Sequence, residues 1–109
     1  MTETDIAIEV SRTSASKIAD VDFSNIPFGK IYSDHMFVAD FRNGQWTDCR
    51  IEPFGHMGLS PAISALHYGQ SVFEGLKAYK SPGSDKVLVF RPDENARRLQ
   101  NSARRICMP

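Results

Sequence analysis

The dipeptide Asn43-Gly44, set between two runs of alternating apolar and polar residues, is the feature that most constrains the fold of this chain. The first run, HMFVADF, begins at His35, and the second, WTDCRI, ends at Ile51. Asn-Gly readily takes the positive φ angles that a two-residue hairpin turn requires. The sequence therefore predicts an antiparallel β-hairpin over residues 35–51.

A second hairpin is predicted further along the chain. The run SVFEGLKAY alternates, the cluster SPGSD is typical of a turn, and KVLVF is rich in β-branched residues. Gly75 then falls inside a strand, where glycine indicates a bulge or a close backbone approach. On that strand Phe73, Gly75, Lys77 and Tyr79 share one face, which indicates an apolar wall with room for a ligand.

Two helices are predicted after the first hairpin. Ser60 and Pro61 suit the start of a short helix over PAISALHY, and Gly69 suits its end. A longer helix is predicted over residues 93–107, opened by Asp93 after Pro92. Its apolar residues recur every three or four positions and are expected to face a core: Ala96, Leu99, Ala103 and Ile106. These elements predict an α+β fold, a mainly antiparallel sheet with helices packed on one face.

The first 23 residues differ from the rest. They are rich in Ser, Thr and Ala and show no sustained periodicity, so they are predicted to form a flexible arm or a strand that docks. Residues 24–109 are predicted to form one small domain. No run of about 18 apolar residues is present, and the N-terminus lacks the pattern of a signal peptide, so a cytoplasmic protein without a membrane partner is expected.

The charges balance overall but not locally. The chain has 13 Lys+Arg and 13 Asp+Glu, which argues against a nucleic-acid partner. The long predicted helix is nevertheless basic. Its arginines lie on two strips with a spacing of seven, and they fit a solvated face, a phosphorylated ligand or a nucleic-acid backbone: Arg91, Arg98 and Arg105 on one strip, Arg97 and Arg104 on the other.

Other reactive side chains show no functional pattern. The histidines, His35, His56 and His67, have neither the spacing nor the cysteine partners of a zinc site, so no metal is predicted. Cys49 and Cys107 fit two reduced thiols, with a single disulfide as the alternative. No nucleophile motif or glycine-rich phosphate loop is present.

Two longer motifs resemble a known family. LHYGQSVFEGLKAY and VFRPDENARRLQNSARRICMP resemble the N-terminal part of branched-chain amino-acid aminotransferases, which are pyridoxal-phosphate enzymes of fold type IV. FGKIYSDHMFVADF and IEPFGHMGLSPAISALHYG occur in the order and spacing of that family, so the resemblance covers residues 24–109. D-amino-acid aminotransferases and aminodeoxychorismate lyases share the architecture but usually depart at HYG and FEG; they are the alternative enzymes.

The resemblance implies roles for individual residues. Arg98 corresponds to the arginine that binds the phosphate of pyridoxal 5'-phosphate. A guanidinium group suits this role because its N–H groups can donate two parallel hydrogen bonds to phosphate oxygens. Phe28 in PFG, Tyr68 in HYG and Phe73 in FEG resemble residues that line the pocket for an apolar substrate side chain. In this family Tyr68 would come from the other subunit of a homodimer. The implied substrates are leucine, isoleucine or valine, with 2-oxoglutarate as the amino acceptor.

The resemblance also implies that part of the active site is missing. The family takes its Schiff-base lysine, and the acid that holds the pyridine nitrogen protonated, from a later segment. None of the lysines matches that motif: Lys17, Lys30, Lys77, Lys80 and Lys86. No catalytic residue is therefore assigned in this chain. The chain, which ends at Pro109, is expected to be truncated before the domain that carries the lysine. By itself it is predicted to be inactive. A non-catalytic oligomerisation or binding fragment is the remaining alternative.

Overall fold

The computed structural model describes residues 5–109, which form two compact units divided between Gly58 and Leu59. The first unit contains strand β1 (Glu9–Val10), a 3-10 helix (Ile18–Asp20) and strands β2 (His35–Arg42) and β3 (Gln45–Pro53). The second contains helix α1 (Ser64–His67), strands β4 (Ala78–Lys80) and β5 (Val87–Val89) and helix α2 (Pro92–Arg105). The predicted α+β class is confirmed.

The first predicted hairpin is confirmed. Strands β2 and β3 pair antiparallel, and both turn residues take positive φ, 52° at Asn43 and 78° at Gly44. Next to the turn, the rings of Phe41 and Trp46 lie opposite each other and meet edge to face, with centroids 5.1 Å apart. The aromatic pair stabilises the end of the ladder that the turn defines.

A bulge interrupts this hairpin. Val38 pairs with Arg50, but Asp40 pairs with Thr47, so β3 carries one more residue than β2 at this point. Asp48, within the bulge, takes a left-handed φ of 52°. The bulge turns the backbone of β3 locally, and the alternating pattern of the sequence did not predict it.

Part of the N-terminal segment docks on this sheet. Strand β1 pairs in parallel with Arg50–Ile51 of β3, and the Ser11 amide donates a hydrogen bond to the Ile51 carbonyl at 2.9 Å. The Thr13 amide donates to Nε2 of His35 at 3.0 Å. Of the two alternatives for the arm, residues 9–13 therefore adopt the docked one. The domain boundary at residue 23 stays a prediction.

The short helix is smaller than predicted. Helix α1 begins at Ser64, not at Pro61, and its N-cap position is Ile63. The predicted cap, Ser60, instead accepts a hydrogen bond from the Ala62 amide at 3.2 Å and closes a separate turn. The prediction for its end is confirmed, since Gly69 has a φ of 62° directly after α1.

The second hairpin is present, but its first strand is much shorter than predicted. Ala78–Lys80 pairs antiparallel with Val87–Val89. Placing Gly75 inside a strand was wrong, because its carbonyl accepts a hydrogen bond from the Asn95 amide group of α2 at 3.0 Å rather than from a neighbouring strand. The predicted common strand face of Phe73, Gly75, Lys77 and Tyr79 is therefore wrong as well.

The long helix is confirmed with shifted ends. Pro92 lies in its first turn, and the N-cap residue is Arg91 in a left-handed conformation rather than Asp93. The expectation that the apolar stripe of α2 faces a core was wrong for two of its four members. Ala103 is buried and Ile106 half-buried, whereas Ala96 is exposed and Leu99 is 38% exposed, because this chain supplies little that covers them.

The two cysteines are free thiols. Cys49 is buried in β3, whereas Cys107 is exposed after α2.

Candidate functional site

An ion pair between Glu74 and Arg98 is the centre of the candidate site in the second unit. Arg98 projects from α2, and Glu74 lies in the irregular segment between α1 and β4. Nε of Arg98 donates to Oε2 of Glu74 at 2.6 Å, and Nη2 donates to Oε1. This bidentate contact joins residues 24 positions apart in sequence.

Other donors hold the Glu74 carboxylate in place. Oε1 accepts a hydrogen bond from Nδ2 of Asn95 at 3.1 Å and another from the Gly75 amide at 3.0 Å. Asn95 and Arg98 are three residues apart on α2 and therefore share one face of the helix. The Glu74 side chain is only 9% exposed, while that of Arg98 is 69% exposed. The carboxylate is thus fixed on the protein side of the pair and the guanidinium is on the solvent side.

The pKa values reflect this arrangement. The Arg98 guanidinium, aided by the amide of Asn95 and the backbone of Gly75, lowers the pKa of Glu74 from 4.5 to about 2, against an opposing effect of burial. The same hydrogen bond raises the pKa of Arg98. Both groups are therefore charged throughout the physiological pH range.

The geometry of the guanidinium leaves one of its edges open. Arginine has five N–H donors in a planar fork. Glu74 occupies the side edge, formed by Nε and Nη2, while the end edge, formed by Nη1 and the second N–H of Nη2, makes no hydrogen bond with the described residues on a side chain that is 69% exposed. Two parallel N–H groups suit two oxygens of a phosphate. The donor set of Arg98 therefore fits the phosphate of the cofactor that the sequence implies.

The three aromatic residues implied to line a substrate pocket are all exposed. Phe28 is 103% exposed in the first unit, and Tyr68 and Phe73 are 87% and 91% exposed in the second. Within residues 5–109 none of the three belongs to an aromatic pair. Phe73 is nonetheless the sequence neighbour of Glu74. The hydrogen bonds that join Glu74 to Arg98 and Asn95, called the Glu74 clamp below, therefore also fix the backbone next to this ring.

The other arginines of the basic helix behave differently. Nη2 of Arg91, the N-cap residue, pairs with Glu94 of α2 at 3.2 Å, and Arg97 pairs with the same carboxylate within the helix. Arg104 donates to the side chain of Asn101 at 3.4 Å. These local, exposed contacts are those of a solvated helix face. Arg98 alone of these arginines pairs, among the described residues, with an acid outside the helix.

Glu74 and Asn95 were not among the site residues predicted from the sequence. Both lie inside the motifs that carried the resemblance, FEG and PDENARR, and the three-residue spacing of Asn95 and Arg98 was a usable signal. The partner acid was not predictable in the same way, because residues 71–79 were assigned to a strand and not to a segment held by α2.

The part of the chain that the structure describes contains neither a metal-ion cluster nor a membrane-spanning helix. No three His, Cys, Asp or Glu side chains gather there in an arrangement that could hold a metal ion. None of its helices combines the length and the apolar character needed to cross a membrane.

Comparison with known proteins shows that the chain is similar in sequence to aminotransferases. No family model matches the chain. It is 44% identical, over its whole length, to branched-chain-amino-acid aminotransferase 2 of Bacillus subtilis (strain 168), covering 29% of that relative. It is 47% identical over 95% of its length to a probable branched-chain-amino-acid aminotransferase of Staphylococcus aureus (strain MRSA252), covering 28%. It is also 40% identical over 94% of its length to the chloroplastic branched-chain-amino-acid aminotransferase 5 of Arabidopsis thaliana, covering 25%.

The chain is therefore homologous to the N-terminal portion of branched-chain-amino-acid aminotransferases, and the resemblance found in the sequence is confirmed. The chain spans about a quarter of the length of the curated relatives it matches.

Proposed function

We propose that this chain acts as the N-terminal small domain of a branched-chain aminotransferase that converts leucine, isoleucine or valine with 2-oxoglutarate into the 2-oxo acid and glutamate. The observation that carries the proposal is the 40–47% identity over nearly the whole chain to enzymes with that name. Arg98, with an edge open to a phosphate, supports it from the structure. The working form we propose is a cytoplasmic homodimer with no nucleic-acid or membrane partner.

The proposed cofactor is pyridoxal 5'-phosphate. When bound, it supplies the electron-accepting ring that amino-group transfer needs. Arg98 binds the phosphate through charge-assisted hydrogen bonds and stays protonated while doing so. The lysine and the acid that act on the ring are proposed to come from outside these 109 residues, so the chain alone is expected to be inactive.

The proposed role of Phe28, Tyr68 and Phe73 is to surround the apolar side chain of the substrate and exclude water from it. Their exposure leaves their rings accessible to such a contact. A pocket of this kind discriminates by apolar burial, worth about 0.8 kcal/mol per methylene. Selectivity among the branched substrates is therefore expected to be graded.

A chimeric enzyme tests the function. This chain replaces the aligned N-terminal part of the Bacillus subtilis aminotransferase 2, and glutamate formation from leucine and 2-oxoglutarate is measured. We expect the chimera to bind pyridoxal 5'-phosphate and turn over, and the 109-residue chain alone to form no glutamate. Arg98→Ala should weaken cofactor affinity at least about tenfold, since charge-assisted hydrogen bonds to a phosphate are lost.

Arg97→Ala is the matched control, because Arg97 is an adjacent exposed arginine of α2 whose partner is Glu94. It should leave cofactor affinity unchanged. A folded, cofactor-loaded chimera without transfer activity, or steady turnover by the 109-residue chain alone, would contradict the proposal.

A further inference from the structure

We propose that Glu74 and Asn95 are positioning residues that restrict Arg98 to presenting only its Nη1/Nη2 edge to a phosphate. The inference rests on the proposed function for the identity of the phosphate, a phosphate monoester, but its geometry comes from the described contacts. It concerns two residues that touch neither substrate nor cofactor and that act through Arg98.

The side edge of Arg98 is already occupied. Nε donates to Oε2 of Glu74 at 2.6 Å and Nη2 donates to Oε1, so a ligand cannot use Nε without displacing the carboxylate. The Glu74 side chain, 9% exposed, has little room to move away. A phosphate is therefore directed to the end of the fork.

Asn95 holds in place the Glu74 carboxylate, which in turn holds Arg98. Its Nδ2 donates both to Oε1 of Glu74 at 3.1 Å and to the Gly75 carbonyl at 3.0 Å. One amide group thus ties the FEG segment to the helix that carries Arg98. Because long side chains lose rotamer freedom when they bind, an arginine held in advance loses less on contact with its ligand.

The Glu74 clamp lowers the affinity of Arg98 for a phosphate but restricts the phosphate to one orientation. Glu74 places a negative charge beside the arginine, which opposes the approach of an anion. It also removes two of the five donors. An unclamped Arg98 should therefore bind a phosphate more tightly but through either edge, whereas the clamped residue binds less tightly and in one orientation.

The test uses the ¹⁵N-labelled 109-residue chain and inorganic phosphate as the probe, with the side-chain Nε and Nη signals of arginine followed by NMR. In the wild-type chain the Nη signals of Arg98 should respond to phosphate while its Nε signal stays at its position. In Glu74→Ala the Nε signal should respond too, and phosphate affinity should rise about threefold, the scale of one exposed charge interaction. Arg97, paired within the helix, is the internal reference.

Two further variants separate positioning from a general loss of structure. Asn95→Ala keeps the Glu74 carboxylate but removes the hydrogen bond that holds it to α2. The Nε signal of Arg98 should then respond to phosphate, but less than in Glu74→Ala. Glu74→Gln keeps an acceptor without the charge and should fall between wild type and Glu74→Ala. Unchanged amide signals of the β4–β5 hairpin and of the last two turns of α2 would show that the second unit remains folded in each variant.

Three outcomes would overturn the inference: an Nε response in the wild-type chain equal to that of Nη, a response of Arg98 no larger than that of Arg97, or no gain of Nε response in Glu74→Ala. Its failure is distinguishable from failure of the proposed function. If the chimera is active but the Nε signal of Arg98 in the wild-type chain responds to phosphate, only the positioning role of Glu74 and Asn95 is rejected. If the chimera is inactive but the NMR responses are as expected, only the enzymatic function is rejected.

Discussion

The ionisation of Glu74 depends chiefly on one neighbour. Its pKa is lowered from 4.5 to about 2, chiefly by the hydrogen bond from Arg98. A carboxyl group with a lowered folded-state pKa stabilises the folded chain above its unfolded pKa, and that contribution is lost as the pH falls from about 4.5 through about 2. The contact between FEG and α2 is therefore expected to persist at neutral pH and to weaken only in strong acid.

Replacing Arg98 tests this pKa. In Arg98→Gln the pKa of Glu74 should rise from about 2 toward 4.5, because the hydrogen bond that lowers it most is lost, and the remaining donors, Asn95 and the Gly75 amide, act against the effect of burial. The measurement is a titration of the Glu74 carboxyl carbon by ¹³C NMR. Arg97→Gln, which removes a neighbouring charge paired with Glu94, should leave the titration unchanged. An ordinary pKa for Glu74 in the wild-type chain would show that the ion pair does not form in solution.

These residues also show how far sequence reasoning reaches. Arg98 was singled out from its motif alone, and its exposed donor edge is compatible with the role implied for it. Glu74 was not predicted as a site residue, because its partner Arg98 is 24 residues away in sequence and no local pattern encodes that contact. The roles of Phe28, Tyr68 and Phe73 stay predictions.

At the scale of elements, the β2–β3 hairpin depends on its turn. Gly44 has a φ of 78°, and a Cβ built there meets nothing within 4 Å, so only the backbone conformation resists a side chain. Gly44→Ala should therefore destabilise the hairpin by about 1 kcal/mol, the usual cost of a left-handed conformation for a residue with a Cβ. Amide hydrogen exchange along β2 and β3 should accelerate about fivefold.

Gly58→Ala is the matched control for this prediction. Gly58 lies in the same unit, has no left-handed φ and also has open space around its Cβ position. Exchange in the hairpin should be unchanged in this variant. Equal exchange rates in Gly44→Ala and wild type would mean that the cross-strand contacts, not the turn, determine the stability of the hairpin.

The elements differ in how well local sequence predicts them. The first hairpin was predictable because its turn dipeptide and both flanking runs indicate the same structure. Residues 71–79 were not, because alternation alone favoured a strand while the side chain of Asn95 binds the Gly75 carbonyl and holds the segment to α2. The bulge at Asp48 likewise depends on the pairing register, which no single strand specifies.

At the scale of the whole molecule, the most unusual property is the exposure of apolar side chains. Among the described residues only Cys49 and Ala103 are buried, while large side chains such as Phe28, Phe73 and Phe90 are almost fully exposed. Contiguous exposed apolar surface normally marks a binding surface. In the second unit, Ala96 and Leu99 of the α2 stripe add to the exposed apolar side chains.

This exposure predicts that the 109-residue chain associates with itself. Sedimentation equilibrium should give an average mass above 12.2 kDa that rises with concentration, since apolar burial favours association by about 25 cal/mol per Å². The chain should also enhance the fluorescence of 8-anilinonaphthalene-1-sulfonate in native buffer, as exposed apolar surface does. Phe28→Ser combined with Phe73→Ser should lower both the mass and the dye fluorescence.

Lys77→Ser provides the comparison, because it removes an exposed polar side chain from the same region without removing an apolar ring. It should change neither reading. A mass of 12.2 kDa at every concentration, with no dye enhancement, would mean that the apolar side chains pack on one another in solution. In that case Phe28 and Phe73 would be unavailable to line a substrate pocket in this chain, and the pocket would have to form after they were released.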